Sequence, residues 1–239
     1  TFRLCPSDLA HGDALARWMS ERLELKKGAI FYLDDDYGRG IRHAFTEQFM
    51  RRGGTLVGIE PYLDSMPDVA PQLDRLSKLA PPQFLFIAVT RDEAESLLRD
   101  ARARGITVPL AGGDGLEGFE SAGTLAEGSY VSAAYHPALN TQANRTFVAA
   151  WARAYPGTPP PNQPAAATYD AVQLLARVIR DAGPSRDDIR RTLAQVGRTT
   201  APFEGVAGRI AFDSLGDVTD RPVFITVVRD GQALLAGSL

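Results

Sequence analysis

Short apolar runs alternate with amphipathic stretches through the first 135 residues, and this alternation constrains the fold more than any other feature of the chain. "GAIFYL" (28–33) reads as a strand, and "IRHAFTEQFMRRGG" (41–54) as a helix. Its Ile41, Phe45, Phe49 and Met50 share one face, and Gly53 stops it. "TLVGIE" (55–60) is a second strand. "SMPDVAPQLDRLSKL" (65–79) is a second helix, with Ser65 as N-cap, Pro67 in the first turn and Asp68 at the third position. "QFLFIAV" (83–89) is a third strand. "TRDEAESLLRDARARG" (90–105) is a helix with a Thr90–Glu93 capping box and a closing glycine. "VPLAG" (108–112) and "GSYVSAA" (128–134) complete the series. Strand and helix in alternation with short connections specify an α/β protein with a parallel sheet and right-handed crossovers. Helices on both faces explain strands that are apolar throughout rather than alternating.

The pattern changes after Tyr135. Three helices follow without a strand between them: "NTQANRTFVAAWARAYPG" (140–157), "AAATYDAVQLLARVIRDAG" (165–183) and "SRDDIRRTLAQVG" (185–197), the last capped by Ser185. Strands return at "GRIAFD" (208–213), "PVFITVVRD" (222–230) and "QALLAG" (232–237), with "DSLGD" (213–217) as a tight turn. Helices that do not extend the first sheet need another surface to cover. The expectation is two lobes, the chain leaving one near residue 135 and returning near 220.

In open parallel sheets, ligands bind beyond the carboxyl ends of the strands. That rule selects loops at Asp34–Tyr37, Tyr62–Ser65, Thr90–Asp92, Gly112–Asp114 and Tyr135–His136. Carboxylates, phenols and a hydroxyl on one rim suit a small polar ligand with cationic and hydrogen-bonding parts. The three aspartates of "LDDDYGRG" (33–40) read as caps and charge partners for the positive end of the next helix. "GDGLEG" (113–118) matches G-x-G-x-x-G formally. It follows the fourth strand and opens no long helix, so it is not a dinucleotide loop. Its Asp114, an acid among glycines at a strand end, is the stronger candidate ligand contact. Tyr37 and Thr90 are the others.

Several function classes are excluded. Net charge is −3 with no basic stripe, which argues against a nucleic-acid partner. No apolar run approaches the roughly 20 residues of a membrane span. Cys5 is the single cysteine, so no internal disulfide forms. The histidines, His11, His43 and His136, have no zinc-site spacing, and no metal or other cofactor is expected. No nucleophile elbow, P-loop or C-x-x-C occurs, so no catalytic residue is assigned and the chain is not expected to be an enzyme. "NRT" (144–146) is a sequon by chance. The chain opens on "TFRLCPSD" without an initiator Met, as a mature or trimmed product does.

"FRLCPSDLAHGDALARWM", "KKGAIFYLDDDYGRG", "LLRDARARGITVPLAGGDGL", "ATYDAVQLLARVIRDAG" and "GVAGRIAFDSLGDV" follow one another in this order. Together they resemble the type I periplasmic binding proteins of the branched-chain amino-acid (Leu/Ile/Val) class, the solute receptors of ABC importers. The resemblance covers essentially the whole chain and rests on motif order and spacing. It implies two α/β lobes that close on a ligand in an interlobe cleft. Residues 22–136 and 219–239 would form the second lobe. Residues 1–21 and 137–218 would be part of an incomplete first lobe. The absent part would supply the hydroxyls and backbone N–H groups for a ligand carboxylate, so this chain alone is expected to bind poorly. The resemblance places the family's ligand tyrosine on Tyr37, its contact after the third strand on Thr90 and its amine-binding acid on Asp114. Thr90 stands where leucine-binding members have an aromatic residue, which puts specificity for aliphatic side chains in question. The implied partners are a small amino-acid-like ligand and membrane-embedded ABC permease subunits, and the implied location is the periplasm. A ligand-sensing receptor of the same fold is the alternative.

Overall fold

The computed structural model describes residues 1–62, 68–219 and 221–238. In chain order its elements are α1 (Asp8–Arg17), a π-helical turn (Trp18–Arg22), β1 (Lys27–Leu33), α2 (Asp36–Arg51), β2 (Thr55–Tyr62), α3 (Ala70–Ser77), β3 (Phe84–Ala88), α4 (Arg91–Ala103) and β4 (Leu110–Gly112). Two short 3-10 turns, Asp114–Leu116 and Phe119–Leu125, lead to β5 (Tyr130–Ala133). Then come α5 (Gln142–Ala154), α6 (Gln163–Ala182), α7 (Arg186–Leu193), β6 (Phe203–Gly205), β7 (Gly208–Ile210), β8 (Phe224–Arg229) and β9 (Gln232–Ser238). The expected N-cap Ser65 and first-turn Pro67 lie outside the described residues, as does most of the expected Tyr62–Ser65 rim loop.

The chain divides into two compact units. The larger comprises Asp8–Ala133 and Val223–Leu239. Its sheet runs β2-β1-β3-β4-β5-β8-β9. The first five strands are parallel, while β8 and β9 join antiparallel to their neighbours. Both faces are covered, as the unbroken apolar strands require. Ala29, Phe31, Leu33, Leu85 and Ile87 point to one side, against Leu73 and Leu76 of α3 and Leu97 and Leu98 of α4. Ile30, Phe84, Phe86 and Ala88 point to the other, against Leu15, Met19, Ile41, Phe45 and Phe49. Phe45 stacks on Phe86 with ring centroids 4.0 Å apart.

The expected boundary near residue 21 differs from this division. Contacts place Asp8–Arg22 with the sheet rather than with the other unit. The cause is α1, whose Leu15 and Ala16, followed by Met19, are fully buried in the same cluster as α2 and the strands.

The smaller unit comprises Thr1–Ser7 and Ala134–Pro222. Asn162 and Ser185 cap α6 and α7 with side-chain oxygens. β6 and β7 form a hairpin, of which only the second strand was expected, from "GRIAFD". Ile210 and Phe212 pack with Leu174, Val178 and Leu193. Asp170 lies 1% exposed within this unit. It accepts from the N–H groups of Val206 (2.7 Å) and Ala207 (3.2 Å) and from Arg221 Nη2 (3.3 Å), whose side chain is 2% exposed. Burial pushes the Asp170 carboxyl up, and the two amides and Arg221 pull against it. The opposite face of α6 leaves Tyr169, Val172, Leu175 and Ile179 exposed.

Candidate functional site

The turn after β1 brings an acid, a tyrosine and a glycine together by local chemistry. Asp35 is the N-cap of α2 and accepts from Gly38 N at 2.7 Å, while Asp34 and Asp36 pair with Arg39 at 2.9 and 3.0 Å. Asp35 is therefore the expected cap, while Asp34 and Asp36 are ion-pair partners of Arg39. Gly38 is required by space: a Cβ there would lie 2.0 Å from Leu33 O. This close approach of helix to strand fixes where Tyr37 leaves the backbone.

Tyr37 reaches from α2 to the turn after β4. Its hydroxyl accepts from Gly115 N at 3.0 Å and lies 3.5 Å from Asp114 Oδ1. The glycines of "GDGLEG" make room for it, since a Cβ at Gly113 or Gly115 would lie 2.5 or 2.7 Å from the phenol oxygen. The formal dinucleotide motif is thus a tyrosine-binding turn of this chain. Burial, then the Asp114 carboxylate, push the Tyr37 phenol well up, so it stays protonated at neutral pH.

Asp114 has a second neighbour that the sequence did not single out. His11 of α1 is fully buried, with Nε2 3.7 Å from Asp114 Oδ2 and Nδ1 2.9 Å from Ser132 Oγ of β5. Burial pushes the imidazole down, with Asp114 and then Asp8 pulling it back. Ser132, His11 and Asp114 follow the order of a nucleophilic relay, yet the serine is fully buried. Asp114, by contrast, has a side chain 22% exposed. The arrangement is a carboxylate backed by a phenol and a neutral imidazole, with one side toward solvent. A carboxylate so placed can accept charge-assisted hydrogen bonds from a cation.

Thr90 stands apart from this cluster. It is exposed at the end of β3, where its N–H and its hydroxyl both donate to Glu93 Oε2, at 2.7 and 2.6 Å. The capping box is as expected. Tyr135, expected on the rim, is instead 4% exposed in the smaller unit, its hydroxyl donating to Asn144 Oδ1 at 2.8 Å. A hollow of about 420 Å³ lined by Glu95, Arg99, Arg102 and Thr124 shares none of these residues. Among the described residues no group of three or more His, Cys, Asp or Glu is placed to hold a metal, and no helix is long and apolar enough to cross a membrane.

Residues 1–233 match the family described as periplasmic binding protein. The chain belongs to the periplasmic binding protein family. No curated protein sequence matches it. Among solved structures, the leucine binding protein LivK of Thermotoga maritima aligns at TM-score 0.87 and 26% identity, covering 100% of this chain and 67% of that one. An ABC transporter substrate-binding protein of Desulfitobacterium hafniense in complex with Leu aligns at TM-score 0.80 and 33% identity, covering 98% and 67%. A solute-binding protein of an ABC transporter from R. palustris, in complex with benzoate, aligns at TM-score 0.85 and 20% identity, covering 99% and 64%, and shares the fold. The turns after β1, β3 and β4 lie at the carboxyl end of the parallel sheet, the end at which open α/β sheets in general bind ligands. Tyr37 and Asp114 meet there, while Thr90 joins them only by lying on the same edge.

Proposed function

We propose that this protein is the solute-binding component of an ABC importer and takes an amino-acid-like or related small polar ligand. The observation that carries the reading is the partly exposed Asp114 carboxylate, held at the carboxyl end of β4 by Tyr37 and His11. In this reading Asp114 receives the ligand's ammonium through charge-assisted hydrogen bonds. Tyr37 meets the ligand with its ring, because its hydroxyl already accepts from Gly115. Thr90 offers its one remaining lone pair, since its hydroxyl proton goes to Glu93 and its oxygen accepts from the Glu93 N–H in the capping box. An anionic ligand without an amine, such as an aromatic acid, would meet a like charge at Asp114. Membrane permease subunits are the partners and the periplasm the location.

Calorimetry on the full-length protein tests this with the twenty amino acids and 4-methylpentanoate, which is leucine without its amine. A binding amino acid should lose about 10- to 100-fold affinity in Asp114→Asn, the worth of a hydrogen bond to a charged group. Unchanged affinity in Asp114→Asn, or equal binding of leucine and 4-methylpentanoate, overturns the reading.

A further inference from the structure

We propose that His11 is a positioning residue for Asp114: from α1 it presents an Nε2–H to the carboxylate and fixes its orientation toward a ligand ammonium. This rests on the reading of Asp114 as the amine-binding acid. Three observations carry it. The ring is fully buried, Nε2 has no hydrogen-bond partner among the described residues, and Asp114 Oδ2 lies 3.7 Å from it. Nδ1 is occupied by Ser132 Oγ at 2.9 Å, and that serine is itself fully buried. A neutral imidazole carries one N–H. Were it on Nδ1, the Nε2 lone pair would face a carboxylate oxygen, two negative ends together. With Ser132 donating to Nδ1, the N–H lies on Nε2 and points at Asp114. At 3.7 Å the contact is longer than a hydrogen bond, so it orients the carboxylate while leaving Oδ2 able to accept strongly from a ligand.

The placement also couples ligand binding to protons. Facing His11 are Asp114 from the turn after β4, Ser132 from β5 and Asp8 from the first turn of α1. Tyr37 of α2 contacts the same Asp114 and stays neutral. An imidazolium would compete with the ligand ammonium for one carboxylate. Acidification should therefore weaken an amine-bearing ligand, by at most about tenfold per pH unit for one coupled proton.

The test uses full-length protein, L-leucine as probe, and the variants His11→Ala, His11→Gln, Ser132→Ala and Asp114→Asn. Long-range proton–nitrogen NMR of the imidazoles reads the tautomer and titration of His11 without any ligand. The expected result is a neutral Nε2–H form, a titration that moves to lower pH in Asp114→Asn, and a changed tautomer population in Ser132→Ala. Calorimetry should show His11→Ala weakened about tenfold at pH 7.5, with affinity recovered in His11→Gln, whose amide N–H replaces Nε2–H. The loss of affinity as pH falls below the ordinary imidazole value of about 6.5 should follow the His11 titration read by NMR in wild type and be absent in His11→Gln. A His11 titration unmoved by Asp114→Asn, or a pH dependence that persists in His11→Gln, overturns the proposal. If neither L-leucine nor any other amino acid binds, the amine-ligand reading falls, and the proposal with it. The NMR result would then report only the His11–Asp114 contact.

Discussion

Replacing Asp170 should cost the smaller unit much of its stability. The side chain is 1% exposed and satisfies three donors: Val206 N, Ala207 N and Arg221 Nη2. Arg221 in turn donates to Ala207 O and to Leu4 O, so one carboxylate anchors the β6–β7 turn and, through the arginine, the N-terminal segment. Asp170→Leu removes the acceptor and leaves a buried guanidinium without its counter-charge. Breaking a buried pair from one side costs about 3–5 kcal/mol, against total stabilities of about 5–15 kcal/mol. Arg221→Met leaves the carboxylate its two backbone donors and should cost less. The double variant removes both charges and should cost about 2–3 kcal/mol less than the sum of the singles. Urea unfolding followed by tryptophan fluorescence measures all four corners of the cycle, and Trp151 lies in the affected unit. A cost below about 1 kcal/mol for Asp170→Leu, or simple additivity in the double variant, would refute the pairing as the source of stability.

Two further outcomes follow from the larger unit. Gly38→Ala sets a Cβ 2.0 Å from the carbonyl oxygen of Leu33 and 3.0 Å from that of Ala88. Neither is a flexible side chain, so the N-terminus of α2 must shift, at about 1–3 kcal/mol or more. A melting temperature within 1 °C of wild type (roughly the size of a small surface change) would contradict it. The second concerns acid. His11 titrates lower in the folded chain than in the unfolded one, where an imidazole has a pKa of about 6.5. Below about 6.5 the unfolded state therefore binds more protons. Stability should fall as pH drops through that value toward the lower folded one, and His11→Gln should flatten the slope. Calorimetric scans at a series of pH values decide it, and an equally steep acid slope in His11→Gln would count against the buried imidazole as its cause.

The starts of several helices were legible locally. Thr90 and Glu93 announce the start of α4, Ser185 that of α7, and the aspartates before Tyr37 that of α2, because caps act through hydrogen bonds only a few residues long. Asp114 and Tyr37 were found by their position after strands, a rule about sheet edges rather than about partners. His11 was not found. It lies on a helix among apolar residues, and its partner Ser132 is 121 residues away. Asn144, read from the sequence as a chance sequon, is a buried residue whose side chain accepts from Tyr135 and donates to the carbonyls of Pro137 and Leu139.

By itself the sequence determined the α/β alternation, the element starts and the strand-end positions of Tyr37, Thr90 and Asp114. Those depend on periodicity and on contacts within one turn of chain. The tertiary structure alone decided that α1 belongs with the sheet, that β8 and β9 extend that sheet antiparallel, and that His11 and Ser132 stand behind Asp114. Each of these is a meeting of segments distant in sequence, driven by burial of apolar faces. A polar group carried into the interior with them must then find its partner wherever the packing places one.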